Sequence, residues 1–345
     1  ALDSVELRGT LLKGVTGMKL TNCKIIDLTL AQGQDYTRLS ISGGTIDKLD
    51  LSQAQVGYLS VKNIKGNVRM FAEKAYLYGA SFRNFTQAGM LFDKANLECA
   101  SFENVKTADK DTVIAFRSAN LGSTTFTKCA FSHFLGRDVD LEYASFKNVR
   151  ILRAHFAHAV LAYSKWDDCT LTFTQTITYC NFKSSRWSNC KLNHQSDLQQ
   201  VGFLHCTLRA ARFTKCSIRR AFFSHTILAN TMFSDRTFSE LGLADTNVTY
   251  CTLGKFAKLT ELNRVYGVTD YIPSMNIPNY WHVAALYVGN TLYIQIGCQR
   301  HTYKQWEKFS DNYIDSMDSD ALQFWTTWKD TVLKLANTAR RYGEL

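Results

Sequence analysis

Large apolar residues recur at every fifth position over long stretches of the chain. One run is unbroken from Phe203 to Leu253, and an earlier run extends from Leu141 to Leu171. An α-helix repeats its apolar face every 3.6 residues and a β-strand every two residues. A period of five therefore predicts neither element in its regular form, and it indicates a repeating coil of short segments.

A second apolar position lies two residues before each large one, and it is usually occupied by a small side chain such as Ala95, Ala100 or Ala211. One large and one small inward residue per five, with polar residues between, describe one flat side of a narrow four-sided coil. Eight of the ten cysteines occupy this small inward position: Cys23, Cys129, Cys169, Cys180, Cys190, Cys206, Cys216 and Cys251. Free cysteine packs as a small apolar residue, so we expect these thiols to be buried and reduced.

The segments "KANLECASF" (94–102) and "RSANLGSTTF" (117–126) resemble the pentapeptide-repeat family, and the resemblance covers about residues 15–257. It implies a mainly β fold, the right-handed quadrilateral β-helix, with four pentapeptides in each of about twelve coils. One-residue slips are expected near residues 177 and 198. Stacked coils bury a core that a single repeat could not, and the ends of the stack need caps.

The C-terminal region follows a different pattern. Residues 259–280 hold both prolines and are predicted to be a linker. Alternating apolar residues on both sides of Gly289-Asn290 then predict a hairpin, with Val283, Ala285 and Tyr287 opposite Leu292, Ile294 and Ile296. The predicted domains are therefore 1–258 for the β-helix, 259–280 for the linker and 281–345 for a small α+β module.

Two helices complete the predicted ββαα module. Thr302 followed by Gln305 is a capping-box signal, and a second helix is expected to begin at Asp318 or Ser319 and to end before Gly343. A module of this size buries little surface alone, so Trp306, Trp325 and Trp328 are predicted to serve capping or oligomerisation. The stretch "IQIGCQRHTYKQW" resembles a small module of unknown activity that follows repeat regions in bacteriophage and bacterial proteins.

The formal charge is +10, with 40 basic and 30 acidic residues. Residues 259–345 hold 8 basic and 9 acidic residues, so the first 258 hold 40 − 8 = 32 and 30 − 9 = 21, a charge of +11. Such an excess attracts anionic partners. The coil register turns several basic side chains outward, and these are the predicted partner-binding residues: Arg150, Arg153, Lys191, Arg209, Arg212, Lys215, Arg219 and Arg220.

Other outward features have plainer interpretations. The register stacks Tyr143 on Tyr163, which we interpret as ordinary surface. Cys298 lies three residues before His301, a spacing that allows half a zinc site or a nucleophile pair, but no second ligand pair accompanies it. No phosphate-binding loop, hydrolase or dinucleotide motif occurs. The sequence therefore predicts no enzyme, no cofactor and no metal site.

Two functions stay open at this point. The sequence predicts either a protein-binding scaffold, with a bacteriophage as a candidate source, that engages a host protein or nucleic acid, or a virion component assembled through residues 281–345. Some pentapeptide-repeat proteins mimic DNA and act on gyrase, but mimicry needs an acidic surface. Free cysteines and the absence of a signal peptide or apolar spanning segment predict the cytoplasm, of a host or within a virion. We also expect a homo-oligomer.

Overall fold

The structure is a computed structural model that describes residues 1–107, 109–194, 201–214, 216–233, 238–244, 246–248, 251, 256–263, 273–288 and 291–339. The chain divides into two compact units, Ala1–Asp197 and Leu198–Leu345. Each is a stack of β-strands in parallel register, and the second also contains a small α+β region. The predicted fold class, a mainly β solenoid of pentapeptide repeats followed by a small α+β region, is confirmed.

One side of unit 1 is a parallel sheet of short strands, here called sheet 1. Its strands lie about 20 residues apart, as in the pairing of Phe82 with Phe102 and of Phe126 with Phe146. That separation is four pentapeptides per coil. The strands of sheet 1 are Leu2–Asp3, Lys19–Thr21, Ser40–Ser42, Ser60–Ile64, Ser81–Phe85, Ser101–Val105, Thr125–Thr127, Ser145–Lys147, Lys165–Asp167 and Arg186–Ser188.

The other three sides of unit 1 are also ladders of parallel pairs. One is a three-stranded sheet of Glu6–Leu7, Lys24–Ile25 and Thr45–Ile46, and another is a column of single bridges from Asp35 to Asn181. The remaining sheet comprises Thr10–Leu12, Leu28–Leu30, Lys48–Asp50, Val68–Phe71, Ala88–Leu91, Val113–Ala115, Ala130–Arg137, Arg150–Ala157, Thr170–Phe173, Ile177–Thr178 and Lys191–His194.

Identical inward positions stack on one another through the core of unit 1. Ring centroids lie 4.8 Å apart between Phe102 and Phe126, 4.5 Å between Phe126 and Phe146, and 4.5 Å between Trp166 and Trp187. This spacing matches the distance between hydrogen-bonded strands. Each coil of four pentapeptides therefore places a large inward residue directly over the equivalent residue of the previous coil. Together these residues form a continuous aromatic stack.

Unit 1 has an insertion and a predicted slip that lengthen individual coils. The pairing of Ser101 with Thr125 spans 24 residues, so the chain between the two strands is four residues longer than in the next coil. Pairing then shifts from a separation of 20 residues at Thr170 to 21 at Thr178, which confirms the slip near 177. The slip near 198 lies outside the described residues.

Unit 2 begins with further parallel strands. Val201–Leu204, Ser217–Ser224, Phe238–Ala244 and Phe256–Asn263 form one ladder. A second pair joins Arg212–Thr214 to Met232–Phe233. The ladder continues to Asn263, so the segment predicted as a linker from residue 259 overlaps its last strand.

The C-terminal region is a four-stranded antiparallel sheet with three helices. Its strands are Ser274–Asn276, His282–Val288, Thr291–Ile296 and Gln299–Thr302. Val283 pairs with Ile296, Ala285 with Ile294 and Tyr287 with Leu292, so the predicted hairpin register is confirmed. The first strand lies inside the predicted linker 259–280, and the sheet has two strands more than the predicted hairpin.

The helices are α1 (Tyr303–Lys308), α2 (Asp311–Asp315) and α3 (Ala321–Asn337). Both hydrogen bonds of the capping box between Thr302 and Gln305 are formed. The helical spacing of Trp306, Phe309, Tyr313 and Met317 after this capping box predicts one continuous helix. That prediction is wrong, because Phe309 has extended backbone and Ser310 caps a new helix. The predicted helix end near residue 342 is wrong, because α3 ends at Asn337 and Thr338 is its C-cap.

Candidate interaction surfaces

The interior of the described coils is filled by side chains. Inward residues such as Phe126, Trp166 and Leu208 are fully buried, and the aromatic stack occupies the axis of unit 1. A buried hydroxyl or thiol at the small inward position contacts a backbone carbonyl, as Thr124 Oγ1 does with Leu97 at 2.8 Å. Recognition by these coils must therefore use outward side chains.

Basic residues alternate with small neutral ones along one outward column of unit 1. Parallel pairing places Lys106, Ala130, Arg150, Thr170 and Lys191 one above another. We call these five residues the cationic column. Its three basic residues are exposed, and none forms an ion pair with another described residue. At about 4.8 Å per coil, the cations stand about 10 Å apart over roughly 19 Å.

Arg150 and Lys191 were predicted from the sequence, whereas Lys106 was missed. Lys106 comes directly before the four-residue insertion between Val105 and Val113, which moves the next centres out of frame. The length of that insertion is the sequence signal that could have located Lys106 in the column. A coil of four pentapeptides extended by the four inserted residues places Lys106 one coil before Ala130.

Arg153 has a different environment from that predicted. Its guanidinium is 2.6 Å from His133 Nε2 and 3.6 Å from an Asp111 carboxylate oxygen, and it donates to the Lys110 carbonyl at 3.3 Å. These contacts hold the inserted loop against the coil. Because Arg153 already has an anionic partner, it is less available to a ligand than Arg150.

The predicted basic residues of unit 2 are described in part. Arg209 and Arg212 are exposed, and Arg212 pairs with Met232 in the next coil. Arg219 and Arg220 lie in the strand Ser217–Ser224, and Lys215 lies outside the described residues. One basic stripe shared by the two units stays a prediction.

The predicted burial of the cysteines is confirmed. The eight at small inward positions are buried, whereas Cys99 and Cys298 are exposed, and all ten are free thiols. Burial raises the pKa of the Cys129 thiol to about 11. The pKa of Cys169 is also raised, first by its hydrogen bond with Cys190 and then by burial. The nucleophilic form of cysteine is the thiolate, so these two buried residues are poor nucleophiles.

Cys298 and His301 are placed differently from each other. Cys298 lies exposed in the turn between two strands, while His301 packs edge-on against Trp306 and Phe309, with ring centroids 5.3 and 4.8 Å apart. Burial lowers the pKa of His301. Within the described part of the chain, no three His, Cys, Asp or Glu side chains come together as metal ligands.

The three tryptophans predicted to serve capping or oligomerisation lie mostly inside their own region. Trp306 is buried and donates its indole N–H to the Ile294 carbonyl at 2.9 Å, and Trp325 is buried against it with ring centroids 5.1 Å apart. Trp328 is half-buried. Trp306 and Trp325 therefore stabilise the α+β region from within, and a partner could reach only Trp328 directly.

Comparisons with known proteins identify similar folds only. No family model and no curated protein matches the chain. HetL of the cyanobacterium Nostoc sp. strain PCC 7120, a pentapeptide repeat protein involved in heterocyst differentiation regulation, is similar with 11% identity and a TM-score of 0.19 over 75% of this chain and 88% of that one. Trypsin-treated QnrB1, a plasmid-mediated fluoroquinolone resistance protein, shows 15% identity and a TM-score of 0.17 over 78% and 91%.

Among the described residues, no helix has the length and apolar character needed to cross a membrane.

Proposed function

We propose that this chain is a non-enzymatic protein-binding scaffold whose cationic column docks against an acidic protein surface. The observation that carries the proposal is the cationic column itself, in which Lys106, Arg150 and Lys191 are exposed with only Ala130 and Thr170 between them. Some other basic residues of unit 1 are paired with acids, as Arg83 is with Glu103 at 3.0 Å.

The spacing suits recognition of separate carboxylates rather than one concentrated charge. Cations about 10 Å apart are separated by roughly one Debye length at 0.1 M salt, so they repel one another weakly. A single exposed ion pair contributes only about 0.2–1 kcal/mol. The column would therefore orient and steer a partner, while affinity would come from apolar contacts around it.

Several finer hypotheses from the sequence belong with this proposal. They are a nucleic-acid partner for the same basic residues, a bacteriophage source, a virion role with homo-oligomerisation through residues 281–345, and a cytoplasmic location. The eight buried thiols support a reducing compartment. The formal charge of +10 speaks against DNA mimicry at gyrase, because a mimic must carry negative charge.

Charge reversal tests the column against simple net charge. Arg150→Glu with Lys191→Glu removes two column cations, and Lys19→Glu with Lys62→Glu makes the same total charge change at two exposed residues of sheet 1. The probes are poly-glutamate and a duplex DNA of about 20 base pairs, titrated at low and high salt.

We expect the column variant to bind poly-glutamate at least tenfold more weakly than the parent, and the sheet 1 variant within about threefold. Equal losses in both variants would show that only net charge matters and would overturn the proposal. Tighter binding of DNA than of poly-glutamate, lost in the column variant, would assign the column to nucleic acid instead.

A further inference from the structure

One corner of unit 1 carries tyrosines where the backbone disfavours them. Hydrogen bonds between successive coils link the peptide N–H of each corner residue to the next coil, for example Tyr58 to Tyr78 and Tyr143 to Ala162. We call the outermost residues of this corner the tyrosine edge: Tyr58, Gly79, Cys99, Ser123, Tyr143 and Tyr163. All six have positive φ values between 56° and 65°.

Positive φ costs a residue with a side chain roughly 1–2 kcal/mol, and only glycine, asparagine and aspartate tolerate it readily. Another corner of the same unit follows this preference, with Asn63, Asn84 and Asn104 at equivalent positions, joined by amide hydrogen bonds of 2.6 and 3.1 Å. Tyr58 and Tyr143 are 56% and 58% exposed. Both rings are therefore accessible to a partner.

The end of the edge nearer the N-terminus, here called the lower end, is a cluster of three tyrosines. Tyr58 meets Tyr78 edge-to-face with centroids 5.7 Å apart, and Tyr76 lies parallel to Tyr78 at 6.3 Å. Gly79 makes room for the Tyr58 ring, because a Cβ on Gly79 would lie 2.9 Å from that ring. The upper end is the stacked pair Tyr143 and Tyr163, with centroids 5.0 Å apart.

Small residues lie between the two aromatic ends, and two carboxylates lie beside the edge. The small residues are Gly79, Cys99 and Ser123; Glu98 directly precedes Cys99, and Glu142 directly precedes Tyr143 and accepts from the Ser123 N–H through its carbonyl. On the sheet 1 side, the outward column is uncharged over five coils: Ser60, Ser81, Ser101, Thr125 and Ser145. The edge therefore has one carboxylate between its two aromatic ends and a second carboxylate at its upper end.

We propose that the tyrosine edge binds an extended or helical segment of a partner protein that carries basic and apolar side chains. Exposed tyrosines are favoured anchors at protein interfaces, and a basic side chain can pair with a carboxylate while its stem packs on a ring. Glu98 and Glu142 would repel the phosphates of a nucleic acid. Four coils separate Tyr58 from Tyr143, about 19 Å, which is the length of about six extended residues or thirteen helical ones.

This site is independent of the cationic column, because it has the opposite charge and shares no residue with it. The test selects peptides of twelve random residues from a displayed library against the full chain. We expect enriched peptides to contain arginine or lysine together with apolar residues. We also expect Tyr58→Ala and Tyr143→Ala each to weaken their binding at least tenfold, and the double variant of Glu98→Gln and Glu142→Gln at least fivefold.

Tyr179→Ala is the matched control. Tyr179 is 55% exposed, has φ 52° and stacks on His158 at 4.9 Å, but it lies outside the tyrosine edge. Its variant should bind the selected peptides as the parent does. Absence of enrichment, enrichment of acidic peptides, or equal binding by the edge and control variants would each overturn the proposal. Displacement of the peptides by a single-stranded oligonucleotide at lower concentration than by free peptide would assign the edge to nucleic acid and also overturn it.

Discussion

Replacing Phe126 with alanine removes one ring from the middle of the aromatic stack in unit 1. The ring is fully buried and lies 4.8 Å from Phe102 and 4.5 Å from Phe146. Three further rings, those of Phe116, Phe131 and Phe134, contact it at about 6 Å. A Phe→Ala change in a core costs about 3–5 kcal/mol, and the cost rises with the cavity that remains.

We expect a loss of about 4–5 kcal/mol in the free energy of unfolding, near the top of that range. The neighbouring strands are held apart by their hydrogen bonds at about 4.8 Å, so the coils cannot move together to close the gap. Thr125→Ala is the control, because Thr125 is exposed and pairs in the same strand. Its change should stay within about 0.5 kcal/mol.

Urea titration of the full chain, followed by circular dichroism and by tryptophan fluorescence, measures both variants. Trp166 and Trp187 lie in the same stack and report on unit 1, which matters because repeat proteins can unfold in segments rather than in one step. A Phe126→Ala midpoint no lower than that of Thr125→Ala would refute the inward assignment of the five-residue centres.

Three further predictions address the thiols and the glycines. A thiol reagent should label Cys99 and Cys298 quickly in the native protein and the eight buried cysteines only on unfolding, and rapid labelling of four or more would contradict the packing. The folded pKa of Cys129 is raised to about 11, so its thiol contributes stability below the unfolded pKa near 8.5 that is lost as pH rises through 11. As pH rises from about 8.5 to about 11, the free energy of unfolding should therefore fall by roughly 2–3 kcal/mol less in Cys129→Val than in the parent. An equal fall in the two proteins would refute this. Gly44→Ala should lower the free energy of unfolding by about 2–5 kcal/mol, because a Cβ would overlap the Cys23 carbonyl and the alanine would be strained at a positive φ. Gly66→Ala has open space around it and should lower the free energy of unfolding by only about 1–2 kcal/mol. Equal melting temperatures of the two variants would contradict the register at Gly44.

Most of the fold could be predicted because every pentapeptide must satisfy the same physical constraint. The inward position of Phe126 follows from Phe116 and Phe146 alone, since the coil must bury one large residue every five. The hairpin register around Ala285 and Ile294 likewise follows from alternation. The break between α1 and α2 could not be predicted in this way, because the apolar spacing through Phe309 suits a continuous helix and only the cap at Ser310 interrupts it.

The candidate surfaces were less predictable than the core. The outward direction of Arg150 and Lys191 follows from the register, but the contacts of Arg153 with Asp111 and Lys110 depend on where the inserted loop lies. Tyr58, Tyr76 and Tyr78 gave no recognisable sequence signal. Their association depends on side-chain directions at a corner, and the two glycines beside them, Gly57 and Gly79, acquire a meaning only once the rings are placed.

The coil separates the residues that hold the fold from those that meet a partner. In the three-residue strands of sheet 1 within unit 1 the central residue is buried and its two neighbours are less so, as in Lys165, Trp166 and Asp167. The aromatic stack therefore stabilises the coils irrespective of which charges stand outside. The charge of a column of exposed residues can change sign without loss of the fold. The electrostatic cost of such a change is confined to neighbouring coils about 4.8 Å away. The cationic column and the tyrosine edge can consequently occupy one unit, and a charge-reversed column should leave peptide binding at the tyrosine edge unchanged.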